Sequence, residues 1–232
     1  MDFVIPTPPL HTLAVAGSEA RFPVNRIFCV GRNYAAHARE MGKDPERESP
    51  FFFMKPASSI VDASVGEVTI AYPAMTANFH YEIELVVAIG KGGANIVAAN
   101  ALQHVFGYAV GLDMTRRDVQ QEAKDKSRPW EFSKAFLEAA PIGTIHPVTA
   151  IGHLQSAVIS LTVNDQSRQT SNINMMIWSV AESIAYLSRY EALQPGDLIM
   201  TGTPEGVGAV KRGEVMRGHV GGLSDIVVRV AI

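Results

Sequence analysis

The segment His80-Tyr81-Glu82-Ile83-Glu84-Leu85-Val86-Val87-Ala88-Ile89 alternates polar with apolar residues and then stays apolar to its end. That pattern describes a strand that begins at a polar edge and runs into a core. Residues two apart on a strand share a face, so Glu82 and Glu84 project side by side. Carboxylates held that close repel each other unless a cation lies between them. A second apolar run, Phe106 to Leu112, ends at Asp113 and can bring a third carboxylate from a neighbouring strand. Three carboxylates with no cysteine close by in the chain suit a hard ion, Mg²⁺ or Mn²⁺, better than zinc. The bland alternative is a sheet face with two acids turned to water.

The rest of the chain sets bounds on this reading. At 232 residues it can bury a sizeable core, and 47% hydrophobic with 19% charged residues is ordinary for a globular protein. A net charge of −3 offers no basic stripe, so nucleic acid is not an expected partner. The single cysteine, Cys29, excludes an internal disulfide and suits a reducing cytoplasm; inside an apolar strand it reads as structural. No signal-peptide pattern opens the chain and no stretch is apolar for long enough to span a bilayer, so a cytoplasmic protein without membrane contact is expected.

Read in order, residues 1–25 form a proline-punctuated strand or hairpin appendage, and residues 26–232 form the main domain. Arg26 to Val30 is a buried strand ending at Gly31. Asn33 caps a short helix, closed by Gly42, that places His37 and Glu40 on one face. Phe51 to Met54 is too apolar for a surface. Helices are expected over 94–104, from a Thr115 cap onward, and over 174–190, where Ile177, Val180, Ile184 and Leu187 keep helical spacing. Met175, Met176 and Trp178 in that segment read as core packing. Val158 to Val163 turns at Asn164-Asp165 into a hairpin. Leu198 to Met200 is a buried strand, and strands near 215–220 and 226–230 close the chain. Many short strands, glycine turns and one long helix make a β-rich α+β roll.

Other residues carry candidate chemistry. A His–Glu pair three apart on a helix, His37 with Glu40, fixes the imidazole tautomer and raises its basicity, as a general base requires; a surface histidine is the alternative. Lys134, between Phe132 and Phe136, is either an exposed strand lysine or one placed to meet developing negative charge. Arg116 and Arg117 read as a solvated helix start before an anion clamp. The loop from Gly202 to Gly208 lacks the Gly-Lys-Ser/Thr of a phosphate-binding loop, although its threonines can donate to a substrate carboxylate.

Taken together, six separated segments resemble the fumarylacetoacetate hydrolase family in its compact acylpyruvate hydrolase branch. They are Cys29-Val30-Gly31-Arg32-Asn33-Tyr34 with His37 and Glu40; Phe53-Met54-Lys55-Pro56; His80 to Glu84; Asp113 to Gln120; Trp130 with Lys134; and Thr201-Gly202-Thr203-Pro204. The run from Phe51 to Val61 looks especially like enzymes that hydrolyse fumarylpyruvate. The resemblance implies a mixed β-sandwich roll with a few helices, assembled as a homodimer. It implies Mg²⁺ or Mn²⁺ on Glu82, Glu84 and Asp113, a lid carrying His37 and Glu40 that activates water, and Lys134 as a catalytic cation. Gln120 and Thr203 match substrate-contacting positions, and Arg32, Arg116 and Arg117 are candidates for a substrate's distal carboxylate. The implied substrate is a small 2,4-dioxo acid, hydrolysed at a C–C bond. Decarboxylation of oxaloacetate, or isomerisation of a related 2-oxo dioic acid, on the same metal is the alternative. The run from Gly213 to His219 departs from the family's more usual Gly-Asp turn.

Overall fold

A computed structural model describes residues 2–36 and 48–232; His37 and Glu40 lie outside the described residues. The strand Ile83–Ile89 is buried at every position and explains the plan of the molecule. Its side chains alternate between two cores: Ile83, Leu85, Val87 and Ile89 enter the larger one, Val86 and Ala88 the smaller. A strand covered on both faces reads as a continuous apolar run, which is what the sequence shows.

This strand lies inside a mixed sheet. Its antiparallel neighbours are Val105–Leu112 on one side and Leu198–Met200 on the other. Beyond the latter lie Ile27–Gly31 and then Phe51–Lys55; beyond the former, Ala140–Ile142 and Ile60–Asp62. A five-stranded sheet, in the order Gln166–Asn172, Val158–Val163, Val215–Val220, Ile226–Val230, Glu67–Ile70, faces it across the larger core. The result is a sandwich roll with short helices at its edges, the β-rich α+β class expected. Among the described residues no helix is long and apolar enough to cross a membrane.

Several elements match the sequence reading closely. The hairpin turns at Asn164 (φ 49°) and Asp165 (φ 62°), the left-handed pair of a type I′ turn. The strands over 215–220 and 226–230 form as expected despite the unusual turn before them. The N-terminal hairpin, Thr12–Val15 with Ser18–Pro23, buries Leu13 and Phe22 in the smaller core and exchanges backbone hydrogen bonds with Ile145.

Other elements differ, each for a local reason. The long helix starts only at Val180 and runs to Tyr190, because Ser179 and Glu182 form a reciprocal capping box there. Ile173–Met175 is a separate 3₁₀ turn, and Met175 is exposed instead of packed in the core. The expected helix over 94–104 reduces to Ala98–Ala101 and a 3₁₀ turn at Leu102–His104. Thr115 is not a helix cap: it pairs as a strand with His80, and the helix runs Arg117–Asp125.

Asn33 is fully buried, and its side chain ties three segments together. Its amide nitrogen donates to the carbonyls of Trp178 and Thr201, each at 2.8 Å, and its oxygen accepts from the Trp178 N–H at 2.7 Å. That network fixes the end of the Ile27–Gly31 strand beside Thr201. Replacing Asn33 with Ala is expected to leave those backbone groups unpaired at a cost of about 2–4 kcal/mol, read as a lower urea midpoint at unchanged m.

Candidate active site

The central ladder places the acids. Glu82 is the single residue between the strands Phe79–Tyr81 and Ile83–Ile89, and Asp113-Met114 separates Val105–Leu112 from Thr115–Arg116. Both chains leave the large sheet at this level and continue as a small one, where His80 pairs with Thr115. The Asp113 N–H donates to the Glu82 carbonyl at 2.9 Å, holding the two break points together. Glu84 lies opposite Gly111, which adds no side chain to compete for the space. On the other side, Met200 pairs with Val86, so the chain delivers Gly202 to Glu84, and its N–H donates to Glu84 Oε2 at 2.8 Å. Gly202 holds φ at +91°, and a Cβ there would meet that of Asn33 at 2.7 Å, so glycine is required.

Glu82, Glu84 and Asp113 are all buried, and a carboxylate oxygen from each lies within 4.8 Å of the others. Burial, then the charges of Asp113 and Glu82, push the Glu84 carboxyl well above its ordinary value. A clustered, all-oxygen donor set with that unfavourable charge is what a hard divalent cation relieves. The residues therefore fit Mg²⁺ or Mn²⁺.

Cations of the chain itself surround the trio. Lys134 ends the one-turn helix Glu131–Lys134, so it is neither exposed nor on a strand. Its ammonium donates to Glu82 Oε2 (2.8 Å), Asp113 Oδ2 (2.7 Å) and Thr115 Oγ1 (2.7 Å). Burial acts to lower its pKa, but Asp113 and Glu82 outweigh it and hold the ammonium above its ordinary value. Phe132 points outward; the ring near Nζ is Phe53, at 5.0 Å. Arg117 pairs with Glu82 and donates to Gln120 Oε1 at 2.5 Å. His80 backs it: Nε2 donates to Asn78 Oδ1, which leaves Nδ1 to accept from Arg117 Nε at 3.4 Å. Burial, then Arg117, lower His80 to about 4, so it stays neutral and keeps that acceptor.

These groups open onto a cavity of about 440 Å³, inside the range of roughly 300–1,000 Å³ for small-molecule sites. Arg32, Arg117, Gln120, Lys134 and Thr203, all anticipated from sequence, line it together with the three acids. Thr203 Oγ1 accepts from Gln169 Nε2 at 2.9 Å, which leaves its own proton for a ligand. Gly31 keeps the wall thin, because a Cβ there would run into the Phe51 ring at 2.1 Å. Arg116 is not part of this lining: its guanidinium lies 4.4 Å from the Phe136 ring centre and donates to the Phe132 carbonyl.

Two lysines carry more than the sequence reading gave them. Lys55 is fully buried, with Nζ 2.7 Å from Asp113 Oδ1, 2.5 Å from the Lys134 carbonyl and 3.2 Å from that of Met114. It positions both a carboxylate of the trio and the helix turn that carries Lys134. The signal was present: Phe51, Phe53 and Lys55 share one face of an apolar strand, so the lysine had to point inward. The second, Lys124, also lines the cavity. Replacing Lys55 with Met should destabilise the metal-free protein by about 3–5 kcal/mol, because Asp113 loses a buried partner. Urea unfolding without metal measures it.

Comparison with known proteins places the chain in a family. Residues 26–231 match the family model described as fumarylacetoacetate (FAA) hydrolase C-terminal. A fumarylpyruvate hydrolase from a Ralstonia species is 48% identical over 183 residues, 79% of this chain and 93% of that protein. The crystal structure of fumarylpyruvate hydrolase from Pseudomonas aeruginosa, in complex with Mn²⁺ and pyruvate, superposes with a TM-score of 0.95 at 54% identity, covering 100% of both chains. A mitochondrial oxaloacetate decarboxylase of Dictyostelium discoideum is 42% identical over 209 residues, 88% of this chain and 94% of that protein.

Proposed function

The chain belongs to the fumarylacetoacetate hydrolase family, and from that premise we propose that it hydrolyses an acylpyruvate, with fumarylpyruvate cleaved to fumarate and pyruvate. The observation that carries the reading is the buried trio Glu82, Glu84 and Asp113, which lines a small-molecule cavity together with Lys134. Glu82, Glu84 and Asp113 hold Mg²⁺ or Mn²⁺, which when bound supplies Lewis-acid polarisation to the oxygens of a 2-oxo acid.

The chain's own residues do the rest. His37 takes a proton from water while Glu40 orients the imidazole, and the resulting hydroxide adds to the C4 carbonyl carbon. The C3–C4 bond then breaks, its electron pair passing to the pyruvate half, whose C3 takes the proton back from His37. Lys134 stays charged next to the acids and opposes the negative charge that develops on that half. Thr203 donates its free hydroxyl proton, and Gln120, whose oxygen is occupied by Arg117, offers its amide nitrogen to substrate. The same reading, taken from the family, makes the protein a cytoplasmic homodimer of aromatic-compound catabolism.

Oxaloacetate decarboxylation is the second reading, favoured by the 42% identical relative. It ends in the same pyruvate carbanion but needs no activated water. An ultraviolet assay of metal-free protein on fumarylpyruvate, before and after Mn²⁺ or Mg²⁺, with oxaloacetate in parallel, separates the two. Metal-dependent loss of the dienolate absorbance, with fumarate and pyruvate appearing, is expected. Turnover of oxaloacetate alone would move the protein to the decarboxylases. His37→Ala should collapse hydrolysis, and Asp113→Ala should abolish metal-dependent turnover of either substrate, with a loss of stability because Lys55 and Lys134 each lose a buried partner. Normal turnover by the Asp113 variant in excess chelator would sink the metal assignment.

A further inference from the structure

The cavity's charges are unevenly satisfied along its length. At one end Lys134 and Arg117 are held by Glu82 and Asp113. Further along, Asp125 accepts from Gln121 Nε2 at 2.7 Å. Lys124 lines the same wall and makes no ion pair among the described residues; its Nζ rests 5.0 Å from the centre of the Trp130 ring. Trp130 packs edge-on against Phe51 and tilted against Phe53, so this part of the wall is aromatic and rigid.

The helix Arg117–Asp125 sets the spacing. Gln120 and Gln121 lie three and four residues after Arg117 and four and three before Lys124, so the four form one helical face, and all line the cavity. Seven residues at about 1.5 Å each put Lys124 roughly 10 Å along the axis from Arg117, which marks the metal end. The groups acting on Lys124 are mainly positive. Burial first, then Arg117, with Lys134 and Arg32 adding to it against Glu82 alone, bring its ammonium down to about 8. Among the described residues, no acid pairs with this half-buried cation. Arg32, with its guanidinium 5.0 Å from the Phe51 ring centre, likewise has no acid partner among the described residues.

We propose that Lys124, assisted by Arg32, binds the carboxylate at the end of the substrate remote from the metal, and so selects diacid over neutral-tailed 2-oxo substrates. The inference rests on the acylpyruvate reading for the substrate's near end. It excludes Arg116, which is turned away, and Arg117, whose charge Glu82 already engages.

The test uses two inert ligands of equal length, 2-oxoheptanedioate and 2-oxoheptanoate, titrated into Mn²⁺-loaded protein by calorimetry. Neither has a C4 carbonyl, so neither can be hydrolysed and binding is read without turnover. Wild type is expected to bind the diacid about tenfold or more tightly than the monoacid, and Lys124→Met to remove most of that difference. Lys124→Arg, which keeps the charge, should restore much of it. In kinetics, Lys124→Met should raise KM for fumarylpyruvate more than it lowers kcat. It should also shift the kcat/KM ratio toward an acylpyruvate with an uncharged tail. Equal loss of both ligands, or unchanged discrimination, overturns the proposal. Preserved discrimination in calorimetry without hydrolysis of any acylpyruvate would instead overturn the hydrolase reading and leave the diacid site standing.

Discussion

Three carboxylates forced together out of water are the constraint on which the structure turns. Left to themselves, Glu82, Glu84 and Asp113 would drive each other apart or take up protons, and the rise of the Glu84 pKa is the visible sign of that pressure. The surrounding fold opposes it from every side. Two strands break at the same level and are tied by the Asp113 N–H to the Glu82 carbonyl. A positive-φ glycine brings one N–H to Glu84. Lys55, Lys134 and Arg117 supply positive charge, and each comes from a different element. The sandwich core behind them makes the arrangement rigid, since Ile83 to Ile89 is packed on both faces.

Much of this was legible in the chain. The period of two in Glu82 and Glu84, followed by an unbroken apolar run, specified both the strand and the shared face. The closing strands and the Asn164-Asp165 hairpin were equally plain, since pattern and turn chemistry agree there. Where the reading slipped, tertiary contacts had overridden a local signal. Thr115 looks like a helix cap, but its hydroxyl is taken by the Lys134 ammonium and its backbone by a strand. Lys134 looks flanked by Phe132 and Phe136, yet a single helical turn rotates Phe132 into solvent and brings Phe53 to the ammonium. Lys124 carried no signal of its own until the helix that bears it was seen to face the cavity.

The division of positive charge bears on specificity. Cations at the metal end are consumed by the acids and serve any 2-oxo acid, so the same donor set suits a fumarylpyruvate hydrolase and an oxaloacetate decarboxylase alike. Differences between such enzymes must then arise from groups that activate water and from the far wall of the cavity. In this chain that wall carries Trp130, Lys124 and Arg32.

The central claim, that the trio is a binding site for one divalent ion, is tested most directly by titrating metal-free protein with Mn²⁺ and following the free-ion signal by electron paramagnetic resonance. Wild type should bind one Mn²⁺ tightly per chain, and Glu84→Gln should lose that tight site while its circular dichroism stays unchanged. A variant that still binds one Mn²⁺ with wild-type affinity would contradict the claim.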